Sequence, residues 1–249
     1  MLSRSRNILS SFLLVIFAGI FFSCSKANLC HMQAQTRDTS LSQNYDTALK
    51  TYLALGDSYT IGQSGPESDR YPVQTVKLLN NSGFRFSNPE VIATTGWTTA
   101  DLQNSINNYH FAHSNYDIVS LLIGVNNQYQ GRSQSEYKDQ FAALLQKSIQ
   151  LAGSKASHVI VISIPDYSVT PFASGRNDKT AIAAQIDSFN VINKETSQDY
   201  GANYLYITDE TRKAGTDKTL TASDGLHYSG KEYAIWADML AAKIKKTLK

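Results

Sequence analysis

Segment 118–123 is apolar at every position except Ser120, so neither of its faces suits water. A run this short fits a strand covered on both sides, which requires helices above and below a largely parallel sheet. The neighbouring sequence repeats the pattern. Segments 52–55, 91–93, 158–164 and 204–207 are further short apolar runs. Between them lie helical signals. Val73, Val76, Leu78 and Leu79 recur at helical spacing, Thr98 is followed three residues later by Asp101, and Ser133 with Glu136 opens a helix reaching about Ala152. A further helix is expected over 179–199. The last starts at Ser229, with Glu232 as its reciprocal cap and Tyr233, Trp236, Ala237, Leu240 and Ile244 as its apolar stripe. Strands alternating with helices imply right-handed crossovers, and hence an α/β fold: a three-layer αβα sandwich around a five-stranded, mostly parallel sheet.

The N-terminal part of the 249-residue chain reads as an address and not as part of that sandwich. Arg4 and Arg6 precede an uncharged run over 7–25 whose apolar centre is too short to span a membrane, the layout of a secretory signal. The run ends in Ser23-Cys24, which resembles a bacterial lipoprotein cleavage site, so Cys24 is the expected lipidated residue. The expected organisation is a signal over 1–24, a polar tether without Gly or Pro over 25–49, and one domain over 50–249. The product would be exported and held at the membrane only by its lipid, or else secreted or periplasmic. A domain of roughly 200 residues buries enough surface to hold a core without staples. Both cysteines, Cys24 and Cys30, precede it. Four basic and two acidic residues lie ahead of Lys50, and from Lys50 onward the charges cancel, so no nucleic-acid partner is expected.

In an open parallel sheet, ligands collect beyond the carboxyl ends of the strands, beside the point where strand order reverses. The first strand is followed there by Gly56-Asp57-Ser58-Tyr59-Thr60, the second by Thr94-Thr95-Gly96-Trp97 and the third by Gly124-Val125-Asn126-Asn127. A strand order of 2-1-3-4-5 would make these loops neighbours. A fourth element, Asp224-Gly225-Leu226-His227, precedes the last helix. These residue types suit acyl transfer. A serine hydroxyl needs an imidazole to take its proton, and the imidazole needs an acceptor on its other nitrogen. Ser58, His227 and Asp224 supply the three. The anionic intermediate needs donors, available from the backbone N–H groups of Ser58 and Gly96 and the amide of Asn126.

Taken in this order, Gly56-Asp57-Ser58, Gly96, Gly124-Val125-Asn126 and Asp224-x-x-His227 resemble the four blocks of the SGNH (GDSL-type) esterases and lipases, over about residues 51–249. The resemblance implies a flavodoxin-like sandwich. It also implies Ser58 as nucleophile, His227 as base, Asp224 as its orienter, and Ser58, Gly96 and Asn126 as the oxyanion hole. No metal or organic cofactor is implied. Two positions depart from the commonest pattern: Asn127 stands where many members carry Asp, and Tyr228 where Pro often follows the His.

The substrate is less legible. Tyr59, Trp97, Tyr129 and Tyr167 lie on or beside the strand-end loops, where aromatic rings stack on sugars or contact acyl chains. With an exported location, they point to a small-molecule or glycan ester: first short-chain or carbohydrate O-acyl esters, then lysophospholipids. Two other classes compete, a non-catalytic glycan-binding module on the same fold and a flavodoxin-like cofactor carrier. Lesser motifs carry little. His110 and His113 have metal-compatible spacing without a nearby third ligand, and Gly225 to Lys231 imitates a phosphate loop but continues with Glu232 in place of Ser or Thr.

Overall fold

A computed structural model describes residues 48–249. The signal over 1–24, Cys24, Cys30 and nearly all of the tether lie outside the described residues. Five strands form the sheet: β1 (Tyr52–Gly56), β2 (Glu90–Ala93), β3 (Ile118–Leu122), β4 (Val159–Ile162) and β5 (Asn203–Leu205). Their order is β2-β1-β3-β4-β5 and every pairing is parallel. The chain leaves β1 toward one edge and returns across it to β3, so strand order reverses between these two. Their register pairs Tyr52 with Ile118 and Gly56 with Leu122, which ends both strands level. Ser120, the polar interruption in β3, is buried with its Oγ 2.8 Å from Tyr52 Oη, so the hydroxyl is satisfied inside the sheet.

Helices cover both faces, as the doubly apolar β3 requires. On one side α2 (Tyr71–Asn81) packs against α8 (Gly230–Thr247); on the other, α5 (Gln134–Leu151) packs between α3 (Thr99–Asn108) and α6 (Lys179–Asp199). The Thr98–Asp101 capping box forms in full, and Ser133 Oγ accepts from Glu136 N at 3.1 Å. Three short helices occupy strand ends where their four or five residues are too few to show a helical period: α1 (Ser58–Ile61), α4 (Val125–Tyr129) and α7 (Thr208–Arg212). Among the described residues no helix is long and apolar enough to cross a membrane.

Three expectations need correction. Ser229 precedes α8 but makes no side-chain cap. Its N–H already donates to Leu220 O at 2.9 Å, so the donor that Glu232 would cap is taken, and its hydroxyl is directed to Thr219 O at 2.7 Å. Glu232 instead turns inward and accepts from Trp236 Nε1 at 2.7 Å. The apolar run 158–164 gives a strand only over Val159–Ile162, because His158 closes a 3₁₀ turn and Ser163 serves α7, its Oγ accepting from Ile207 N and Thr208 N. For the same reason β5 ends at Leu205, short of Ile207.

Gly124, immediately after β3, sits at φ +128°, and a Cβ there would lie 2.5 Å from Tyr137 Oη and 2.8 Å from Ile164 Cδ1. Tyr137 cannot yield, since its buried hydroxyl is bonded to Ile123 O and Asn193 Oδ1. Gly124→Ala therefore combines backbone strain with overpacking and should cost about 2–4 kcal/mol in urea denaturation. Wild-type stability in that variant would show that the turn is not fixed.

Candidate active site

The level ends of β1 and β3 bring two loops to one edge of the sheet, and β2 adds a third from beside β1. Asp57 caps α1, accepting from Tyr59 N at 3.0 Å, and Ser58 is the first helical residue. The Ser58 N–H thus has no acceptor within the helix. In the second loop Gly96 adopts φ +87°, and a Cβ there would meet nothing within 4 Å; glycine is needed for the backbone conformation and not for space.

From the third loop, Asn126 Nδ2 donates to Trp97 O at 2.9 Å. That bond fixes the amide plane and joins the β3 loop to the β2 loop, leaving the second N–H of the amide unused by it. Asn127 is buried against the start of α3, where its Oδ1 accepts from Thr99 N at 3.0 Å and its Nδ2 donates to Thr99 Oγ1 at 2.7 Å. Thr99 spends its own hydroxyl proton on Gln140 Oε1, so it must accept from residue 127, which an aspartate carboxylate cannot provide. The Asn at this position is matched to its neighbours.

The fourth segment is tied down at both ends. Thr221 bridges Tyr228, and Ala222 N donates to His227 O at 2.8 Å. Inside this turn Asp224 Oδ1 accepts from the N–H groups of Leu226 and His227, both at 2.9 Å, while its Oδ2 lies 2.6 Å from His227 Nδ1. A carboxylate only accepts, so Nδ1 carries the proton and Nε2 is left with the lone pair of the neutral ring. Tyr59 meets the imidazole edge-on at 5.6 Å, and Tyr228, fully buried, packs on Tyr59 and Trp236 while donating to Asp166 O at 2.9 Å. Tyr228 thereby anchors the turn through its ring and hydroxyl, where a proline would anchor it through its backbone.

These segments line one cavity of about 220 Å³, with Ser58, Gly96, Asn126 and His227 at its polar end and Tyr129, Tyr167 and Phe172 at its aromatic end. Ser58 and His227, 169 positions apart in the chain, are both nearly buried there. Tyr59 also reaches the wall but is buried beneath the imidazole. Trp97 does not line the cavity, and its contribution is the carbonyl that holds Asn126. Tyr129 and Phe172 remain 55% and 42% exposed at the rim. Phe172 and Leu226 join the wall without a sequence signal, Phe172 because it arrives on an irregular loop after β4.

Two carboxylates differ sharply in their surroundings. Burial raises the pKa of Asp57 to about 7, and its Oδ2 has no partner among the described residues. Burial also acts to raise Asp224, but bonds from Ser64, His227 and two backbone N–H groups outweigh it and hold this carboxyl well below the usual range. Among the described residues, no group of three or more His, Cys, Asp or Glu side chains is arranged to hold a metal ion.

The chain belongs to the GDSL-like lipase/acylhydrolase family, whose model matches residues 54–235, and is thus an ester hydrolase. No curated protein matches it in sequence. Its fold is shared with TesA, at 16% identity and a TM-score of 0.62 over 80% of this chain and 99% of that one. It is shared also with a lipase/acylhydrolase from Enterococcus faecalis, at 21% identity and 0.61 over 80% and 96%. A third, the acetylxylan esterase Axe2 from Geobacillus stearothermophilus, gives 20% identity and 0.58 over 78% and 94%.

Because the folded-state pKa of Asp57 lies above its unfolded value, the folded protein holds this proton more tightly. The resulting stability is complete below about pH 4 and is lost as pH rises to about 7. Asp57→Asn keeps a capping oxygen without the charge, so its stability relative to wild type should increase between pH 4 and 8, measured by thermal unfolding. A difference that does not change with pH would mean that Asp57 ionises normally.

Proposed function

We propose that the protein is a serine esterase that works through an acyl-enzyme. The observation that carries this reading is the pairing of His227 Nδ1 with Asp224, which leaves the lone pair on Nε2 in the same cavity as the Ser58 hydroxyl. Ser58 Oγ attacks the ester carbonyl carbon as Nε2 takes its proton, and Asp224 steadies the imidazolium. The oxyanion is received by the N–H groups of Ser58 and Gly96 and the free amide N–H of Asn126. As the tetrahedral adduct collapses, the alcohol leaves with the proton from His227. Water then attacks the acyl group with His227 again as base, releasing acid and regenerating Ser58.

The cavity's dimensions favour small acyl groups, since pockets that enclose drug-sized ligands run from about 300 to 1,000 Å³. The exposed rings of Tyr129 and Phe172 give the alcohol portion an apolar face to stack on, which suits a sugar. We therefore favour short-chain or carbohydrate O-acyl esters. Two acetyl xylan esterases share the fold, so it can accommodate such chemistry. Ser58→Ala should lower hydrolysis of p-nitrophenyl acetate by more than about 10³-fold and abolish fluorophosphonate labelling, and Asn126→Ala should cost about 10²–10³ in kcat. Turnover should fall steeply as the acyl chain lengthens. A preference for long chains would favour a lysophospholipase, and unchanged turnover by Ser58→Ala would leave a binding module on a hydrolase fold.

The sequence of the N-terminal segment supports an exported enzyme anchored in the cell envelope through Cys24. Cys24→Ala should then move the protein from the membrane to the soluble fraction of cells, whereas persistence in the membrane would show that lipid at this residue is not the anchor.

A further inference from the structure

The short segment after α1 touches three of the four segments that form the site. Gln63 N donates to Ser58 O at 3.0 Å, and Gln63 Oε1 accepts from Thr95 Oγ1 at 2.7 Å in the loop that carries Gly96. One residue on, Ser64 Oγ donates at 2.6 Å to Asp224 Oδ2, the same oxygen that receives His227 Nδ1. Ser64 holds a left-handed conformation at φ +67°, which a residue with a Cβ adopts only against a steric cost. Nothing packs this exposed side chain into the core; the bond to Asp224, 160 positions away, is its visible role.

We propose that Ser64 is a positioning residue for the esterase reaction, holding the Asp224 carboxylate in the plane that aims His227 at Ser58. The inference rests on the serine-esterase reading above. Asp224 has two oxygens and four donors: Leu226 N and His227 N fix Oδ1, and Ser64 shares Oδ2 with the imidazole. The backbone bonds reach only within the Asp224 turn. Ser64 alone among the four donors belongs to the segment of the nucleophile, so it sets the distance between the acid–base turn and Ser58. Without it Asp224 keeps its charge and its two backbone bonds at Oδ1, but Oδ2 is held only by the imidazole it has to orient, so the two can swing together about Oδ1. The loss should therefore appear in kcat, where alignment of reacting groups counts, and not in KM.

The test compares Ser64→Ala, Ser64→Gly and each of these combined with Asp224→Ala, using the full chain and p-nitrophenyl acetate. In the single variants kcat should fall about tenfold, the scale of a hydrogen bond to a charged group, with KM within about twofold of wild type. Ser64→Gly also relieves the left-handed strain, so its melting temperature should equal or exceed that of wild type while its kcat stays low. A residue with only a structural role would show the opposite pairing, with activity following stability. In the Asp224→Ala background neither change should lower kcat further, because a group acting through Asp224 has nothing left to act on. Wild-type kcat in both single variants, or an equal loss with and without Asp224, would overturn the proposal. Full activity of Asp224→Ala itself would remove the esterase reading beneath it, an outcome that the Asp224→Ala arm reveals independently of Ser64.

Discussion

The pairing of β1 with β3 sets the geometry of everything at the carboxyl edge of the sheet. Because Gly56 and Leu122 end level, the chain must turn away from both strands at the same height, and the turns carry Ser58 on one side and Asn126 on the other. Reversal of strand order at this pair leaves a crevice between the departing connections. The register in turn follows from the apolar sequences of the strands and from the Tyr52–Ser120 bond across them. A slip of one residue would turn the buried side chains toward the wrong layer and break that bond.

His227 arrives from elsewhere, and a second, aromatic core delivers it. Tyr59, Tyr228 and Trp236 pack together beneath the imidazole, linking α1 to the start of α8. Tyr228 extends the link through Asp166 O, and the Asp166 carboxylate accepts from Arg212 Nε at 2.9 Å. The turn carrying Asp224 and His227 is thus seated against parts of the chain on both sides of the sheet switch. Ser58, Gly96 and Asn126 need no such seat, since each follows directly from a strand.

Much of this arrangement was readable from residue patterns. The doubly apolar β3 and its flanking helical periods imply the layers, and four separated blocks identify the polar end of the cavity. What escaped was of two kinds. Short helices such as α1 and α4 span too few residues to show a period, and Glu232 misled because a capping signature does not reveal that the Ser229 N–H is already committed to Leu220. Ser64, Phe172 and Leu226 were missed because their roles exist only across long sequence separations. The stretch Gly62-Gln63-Ser64-Gly65 reads as an ordinary turn. Trp97 shows the converse: its ring suggested a substrate contact, whereas its carbonyl is the part that serves the site.

The account requires that one serine becomes acylated while three donors receive the developing charge. A crystal structure of the protein after reaction with a small phosphonate inhibitor tests this most directly. It should show phosphorus bonded to Ser58 Oγ, with one phosphoryl oxygen about 2.7–3.1 Å from Ser58 N, Gly96 N and Asn126 Nδ2. A phosphonate on another residue, or one on Ser58 whose oxygen faces solvent away from those donors, would contradict it.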